Sequence, residues 1–243
     1  MRCFLLPVAL VLVSLPCPAQ VQPVALMSYD RDFSAQSPTG VIAGTPEGKP
    51  ELAPGKVGQA LKCGPKFGHV LYPTKGVLNR DSGTVEMWVC PVDWQSDDGK
   101  FHVFFETRGQ GALYLYEYFS TDRLLMLTCP EVAGPYASSQ VATDFKPGVW
   151  RHLAGTWSRE GVMVYLDGKP AAALPALGDL PTQLGETFRI GDEQWQFPRE
   201  SSSLVDDVRI YDRALTPAHI AAHAQGDFNF TVPLSVQTCH LSA

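Results

Sequence analysis

Gly83-Thr84-Val85-Glu86-Met87-Trp88-Val89 puts Val85, Met87 and Val89 on one face of an extended chain and Thr84, Glu86 and Trp88 on the other, because successive side chains of a strand point to opposite sides. The same period recurs downstream. Residues 101–106, 112–119, 123–129, 150–158, 161–166, 187–190 and 204–211 all read as strands. In 112–119, Tyr114, Tyr116 and Tyr118 share one face and Leu113, Leu115 and Phe119 the other. Arg159-Glu160-Gly161 suits a tight turn, and Asp167-Gly168 reads as a second hairpin turn, since glycine accepts the positive φ that such turns demand.

One short helix stands out. Thr216 caps it, Pro217 suits its first turn, residues 218–224 continue it and Gly226 ends it. Glycine and proline make up about a sixth of the 243 residues and are spread evenly. Many short strands punctuated this way predict an all-β chain folded as a two-sheet antiparallel β-sandwich with one short C-terminal helix.

The first 19 residues carry one charge, Arg2, then an apolar run from Phe4 to Leu15 and a small-residue site ending at Ala19. That pattern predicts a signal peptide over 1–19 and an exported protein, secreted, periplasmic or extracellular. The run is too short for the roughly 20 residues of a membrane-spanning helix, so no membrane insertion is expected. The domain is placed at 20–226, with a tail over 227–243. Without Arg2 the formal charge moves from −6 to −7, and an acidic chain with no basic block has no grip on a phosphate backbone, which argues against nucleic acid. Cys63, Cys90, Cys129 and Cys239 remain after the leader. In an oxidising compartment they allow two disulfides in three connectivities; the alternative is free, buried thiols.

Several segments resemble a known family. Gly83–Val89, Trp150-Arg151-His152-Leu153-Ala154, Val164-Tyr165-Leu166-Asp167-Gly168 and Val205-Asp206-Asp207-Val208-Arg209-Ile210-Tyr211-Asp212-Arg213-Ala214-Leu215 are similar, in order and spacing, to strands of the laminin G-like, concanavalin A-like jelly-roll domains. Pro54-Gly55-Lys56-Val57-Gly58-Gln59-Ala60-Leu61 resembles the lead-in to those strands. The resemblance implies a concanavalin A-like jelly roll. It also implies a structural calcium ion at Asp206, with Asp30 and Asp32 near enough to join it; the rival reading has Asp206 accepting backbone hydrogen bonds.

Ligand-binding candidates are aromatic, because the apolar C–H faces of sugar rings stack on electron-rich rings. Trp94 and Trp195 lie in polar loops, where each either meets a ligand or folds back over the core. The Tyr114, Tyr116, Tyr118 row either lines a glycan groove or packs across strands. Glucanases of the resembled family use acids spaced two apart on one strand; no such triplet is present, and Asp206-Asp207 are adjacent and point to opposite faces. No nucleophile-elbow, zinc-helix or phosphate-loop motif appears. The expected role is a secreted, non-catalytic binding module whose partner is a glycan or glycosylated surface. The alternatives are a protein-interaction or adhesion domain, and a glycan-active hydrolase or lyase.

Overall fold

The computed structural model describes residues 20–119, 122–132, 134–192 and 201–231; residues 1–19 (where the sequence predicts a signal peptide), Trp195 and Cys239 lie outside them. In chain order the strands are β1 (Ala25–Met27), β2 (Ala35–Ser37), β3 (Gly40–Ile42), β4 (Thr45–Gly48), β5 (Glu51–Pro54), β6 (Gln59–Cys63), β7 (Gly68–Pro73), β8 (Gly83–Pro91) and β9 (His102–Arg108). There follow β10 (Ala112–Tyr118), β11 (Arg123–Cys129), β12 (Ala137–Ala142), β13 (Arg151–Ser158), β14 (Gly161–Leu166), β15 (Lys169–Pro170), β16 (Thr187–Ile190), β17 (Ser203–Tyr211) and the helix α1 (Pro217–His223). All pair antiparallel into two sheets. The first runs β15-β14-β13-β8-β17-β1-β2-β3, with β6 also against β17 and β5 against β6; the second runs β12-β11-β10-β9-β16-β7-β4.

The period-two strands explain this layering. Val85, Met87 and Val89 of the first sheet face Phe105, Leu113 and Leu115 of the second, and all belong to one buried cluster. Each such side chain removed from water contributes about 1.5–3 kcal/mol. Asp167 (φ 50°) and Gly168 (φ 78°) form the hairpin turn between β14 and β15. Helix α1 begins where expected: Thr216 accepts the His219 N–H and Pro217 follows the cap. It covers the outer face of the first sheet, where Leu215 and Ile220 pack on Ala154, Tyr165 and Tyr211. Beneath it the buried Glu86 accepts from the Tyr211 hydroxyl at 3.0 Å and meets His223 Nδ1 at 2.9 Å.

Two expectations change in detail. Phe119 does not share the inner face with Leu113 and Leu115; Glu117 takes the inward position and Phe119 lies past the strand end, 38% exposed. Asp206 and Asp207 are not a plain alternating pair: Asp207 has φ 49° and the β17–β8 register shifts there, a β-bulge. The disulfide framework is not seen among the described cysteines, since Cys63, Cys90 and Cys129 are all free and buried. Strand β17 separates β6 from β8, holding Cys63 and Cys90 about two strand spacings, roughly 9–10 Å, apart, beyond a disulfide's reach. Cys129 sits in the other sheet.

Gly83 marks a tight seat in the core. It pairs directly with Trp157, and a Cβ there would lie 2.1 Å from the indole Cζ2. The fully buried indole is itself fixed by its N–H donating to the Asn79 carbonyl at 2.9 Å. Gly83→Ala is expected to cost about 1–3 kcal/mol by overpacking, read as a lower urea midpoint; an unchanged midpoint would show that the ring has room to move.

Candidate functional site

Strand β10 lies between β9 and β11 and turns one face outward. Tyr114 is flanked by Glu106 and Leu127, Tyr116 by Val103 and Leu125, and Tyr118 by Arg123. Between Leu115 and Tyr116 the β9 register slips by one residue. The extra residue lets β9 send both Phe104 and Phe105 into the core, while Val103 and Glu106 face out beside the tyrosines. The three tyrosines form a ladder with ring centroids 6.1 and 6.2 Å apart and planes at 75°. Phe101 extends it, 5.4 Å from Tyr118 and 4.7 Å from Phe119.

The result is an open groove of about 440 Å³. Tyr114, Tyr116 and Tyr118 make the floor, Phe101 and Val103 one wall, Leu127 and Cys129 the other, and Val132 and Tyr136 the rim. Tyr136 is 68% exposed. One charged side chain, Arg108, enters the lining. Its Nε donates to the Tyr114 hydroxyl at 2.8 Å, and its Nη2 lies 2.7 Å from Glu106 Oε1. Glu106 is buried, and its other oxygen lies 3.6 Å from Arg189 Nη1. Burial, reinforced by the Glu106 charge, pushes the Tyr114 hydroxyl up to about 12, and burial raises Tyr116 well above its ordinary value. Both therefore stay protonated at neutral pH and keep a hydroxyl donor. The groove is mainly apolar and carries tyrosine hydroxyls and one guanidinium as hydrogen-bonding groups, the mix found in carbohydrate sites and other amphipathic sites.

The tyrosine row is thus brought together, but the tryptophans do not join it. Trp94 folds back over the core: it is 3% exposed, donates to Ser203 Oγ at 2.9 Å, and stacks on His102 with centroids 3.6 Å apart. Trp195 lies outside the described residues. Sequence reading missed Arg108, Glu106, Phe101 and Tyr136. The bulge in β9 breaks strict alternation, so Glu106 and Arg108 do not announce their face.

The expected metal residues have other work. Asp206 is fully buried in the bulge, and its Oδ2 accepts the Lys56 and Val57 amides at 2.8 and 3.0 Å. Asp30 Oδ1 accepts the Gln59 amide of the same hairpin at 3.0 Å. The fit is close: a Cβ on Gly55 would sit 2.7 Å from Asp206 Oδ2, and one on Gly58, at φ 60°, 1.9 Å from Asp30 Oδ1. Asp32 stays apart and closes its own turn by accepting the Ser34 amide at 2.7 Å. Calcium takes six to eight oxygens, whereas these carboxylates are met by amide N–H groups, whose partial positive charge repels a cation. Asp206 Oδ1 is buried without a partner, yet among the described residues no three metal-binding side chains gather. The residues therefore do not fit a calcium ion as they stand.

These strands and their packing define a class, the antiparallel jelly-roll β-sandwich. The chain belongs to the concanavalin A-like lectin/glucanases superfamily, whose family model matches residues 65–221. Domain 4 of an extracellular arabinanase from Geobacillus stearothermophilus, solved in complex with arabinotriose, superposes with a TM-score of 0.69 at 22% identity, over 85% of this chain and all of that one. A chain of botulinum neurotoxin type C, whose cell entry depends on interaction with two ganglioside molecules, superposes with a TM-score of 0.67 at 14% identity, over 86% of this chain and 51% of that one. Human adhesion G-protein coupled receptor D1 is 36% identical over 78 residues, 30% of this chain and only 9% of the receptor. Among the described residues no helix is long and apolar enough to cross a membrane.

Two predictions follow from the buried acids. Burial pushes the Glu117 carboxyl up to about 7 from 4.5, against hydrogen bonds from Thr143 and Ser96 that lower it; Asp206 is raised likewise by burial, to about 6 from 3.8. A carboxyl raised on folding binds its proton more tightly in the native state, so its stabilising contribution is complete below about 4.5 and is lost as pH rises through about 7. The melting temperature should fall between pH 5 and 8, and Glu117→Gln should flatten that slope; an unaltered slope would contradict the assignment. Addition of EDTA should leave the melting temperature where it is, and a drop of several degrees would place a cation on Asp206 Oδ1.

Proposed function

We propose that the protein is an exported, non-catalytic binding module that holds a glycan chain, or a glycosylated surface, along the Tyr114–Tyr116–Tyr118 groove. The single observation that carries this reading is the ladder itself. Three half-buried aromatic rings at near-equal spacing, open to solvent and edged with hydroxyl and guanidinium donors, suit a polymer of repeating rings with apolar faces and polar edges. The two similar structures solved with or known through sugars support it by fold alone.

The groove's chemistry supports a non-catalytic role. Glycoside hydrolysis takes two carboxyl groups flanking the bond. The carboxylate nearest the ladder, Glu106, is buried and engaged by arginine, and no carboxylate enters the described lining. An adhesion role, in which the same surface meets a protein, has the partial similarity to the adhesion receptor in its favour.

Glycan-array binding followed by calorimetry on the retained sugar tests the proposal. A stacked ring contributes about 1 kcal/mol, so Tyr116→Ala should weaken binding about fivefold while circular dichroism stays unchanged. Retention of a protein partner with no sugar bound would favour the adhesion role. Release of reducing or unsaturated sugar would overturn the non-catalytic one.

A further inference from the structure

We propose that Glu106 makes this groove selective for uncharged glycans, by engaging the Arg108 guanidinium, the one charged group of the described lining, that would otherwise draw in carboxylated or sulfated ones; the inference rests on the glycan reading of the groove. The register sets out the row: Arg189 on β16, Glu106 on β9 and Tyr114 on β10 are direct neighbours across the second sheet. Arg108 reaches the same carboxylate from two residues along β9.

Charge and position decide the effect. An arginine exposed alone in an aromatic groove is the usual receptor for a carboxylate or sulfate, through its planar fork of donors. Here one edge of the Arg108 fork is turned to Glu106 at 2.7 Å, and its Nε is spent on the Tyr114 hydroxyl at 2.8 Å. Arg189, which is not part of the groove's described lining, leans on the second oxygen of the same carboxylate at 3.6 Å. An acidic ligand would have to compete with a buried anion already in place, whereas a sugar hydroxyl needs only one N–H donor and no net charge. The chain's formal charge of −6 sets a field that further disfavours polyanions. The rest of the described lining is uncharged.

Calorimetry with the full chain tests this, using arabinotriose and neutral galactan against polygalacturonate and sialyllactose. Affinity for the neutral ligand should change less than about twofold between about 50 and about 500 mM NaCl, because screening acts on net charge. The acidic ligands should bind at least about tenfold more weakly. Glu106→Gln should raise the ratio of acidic to neutral affinity about tenfold at low salt, and high salt should erase the gain. A preference of the unaltered protein for the acidic ligands, or neutral binding that collapses in salt, would overturn the selectivity while leaving the glycan reading in place. Should Glu106→Gln fail to fold, the salt series on the unaltered protein decides alone. Binding of neither class would overturn the glycan reading itself.

Discussion

Strand β10 is held in register between β9 and β11, and that pairing is the constraint on which fold and site both depend. It forces Leu113 and Leu115 into the space between the sheets, where burying them stabilises the sandwich. The same geometry forces Tyr114, Tyr116 and Tyr118 outward in a row. A one-residue slip would exchange the two sets, placing three hydroxyls in the core and two leucines in water. The groove is therefore a direct consequence of the hydrophobic term that folds the domain.

The other sheet is organised around β17. Its N-terminal half pairs with β6 and its C-terminal half with β1, while β8 lies along its other edge. The changeover falls at the bulge carrying Asp206 and Asp207. There the Asp206 carboxylate grips the amides of Lys56 and Val57 and locks the β5–β6 hairpin onto the sheet. The glycines at 55 and 58 let that hairpin approach two carboxylates without a side chain in the way. The acids placed by family resemblance at a metal are, in this chain, occupied as backbone acceptors. The calcium ion implied by the resemblance and the amide binding seen here place opposite demands on one carboxylate.

Much of the sandwich was legible in the sequence because its central strands are long and bury one face. Val85, Met87 and Val89 sit where alternation places them, and Asp167-Gly168 turns as its residues dictate. Strands β1 to β7 were not separately legible: most span three to five residues, and β4 is exposed throughout, so no period can establish itself. The tyrosine row was visible as a face, but its partners were not. The bulge in β9 shifts Glu106 and Arg108 out of simple parity with Phe101 and Val103, and Tyr136 reaches the groove only through the fold. For Trp94 the sequence left ligand contact and folding back both open, because its cover, Phe145 and His102, comes from distant or differently patterned segments.

The most direct measurement is NMR of the tyrosine rings, isotope-labelled in all eight tyrosines, during titration with a neutral oligosaccharide that the protein retains. The account requires the resonances of Tyr114, Tyr116 and Tyr118 to move together along one saturation curve, while the core rings of Tyr29, Tyr72 and Tyr211 stay still. Saturable binding with the ladder unmoved would place the ligand elsewhere and contradict it.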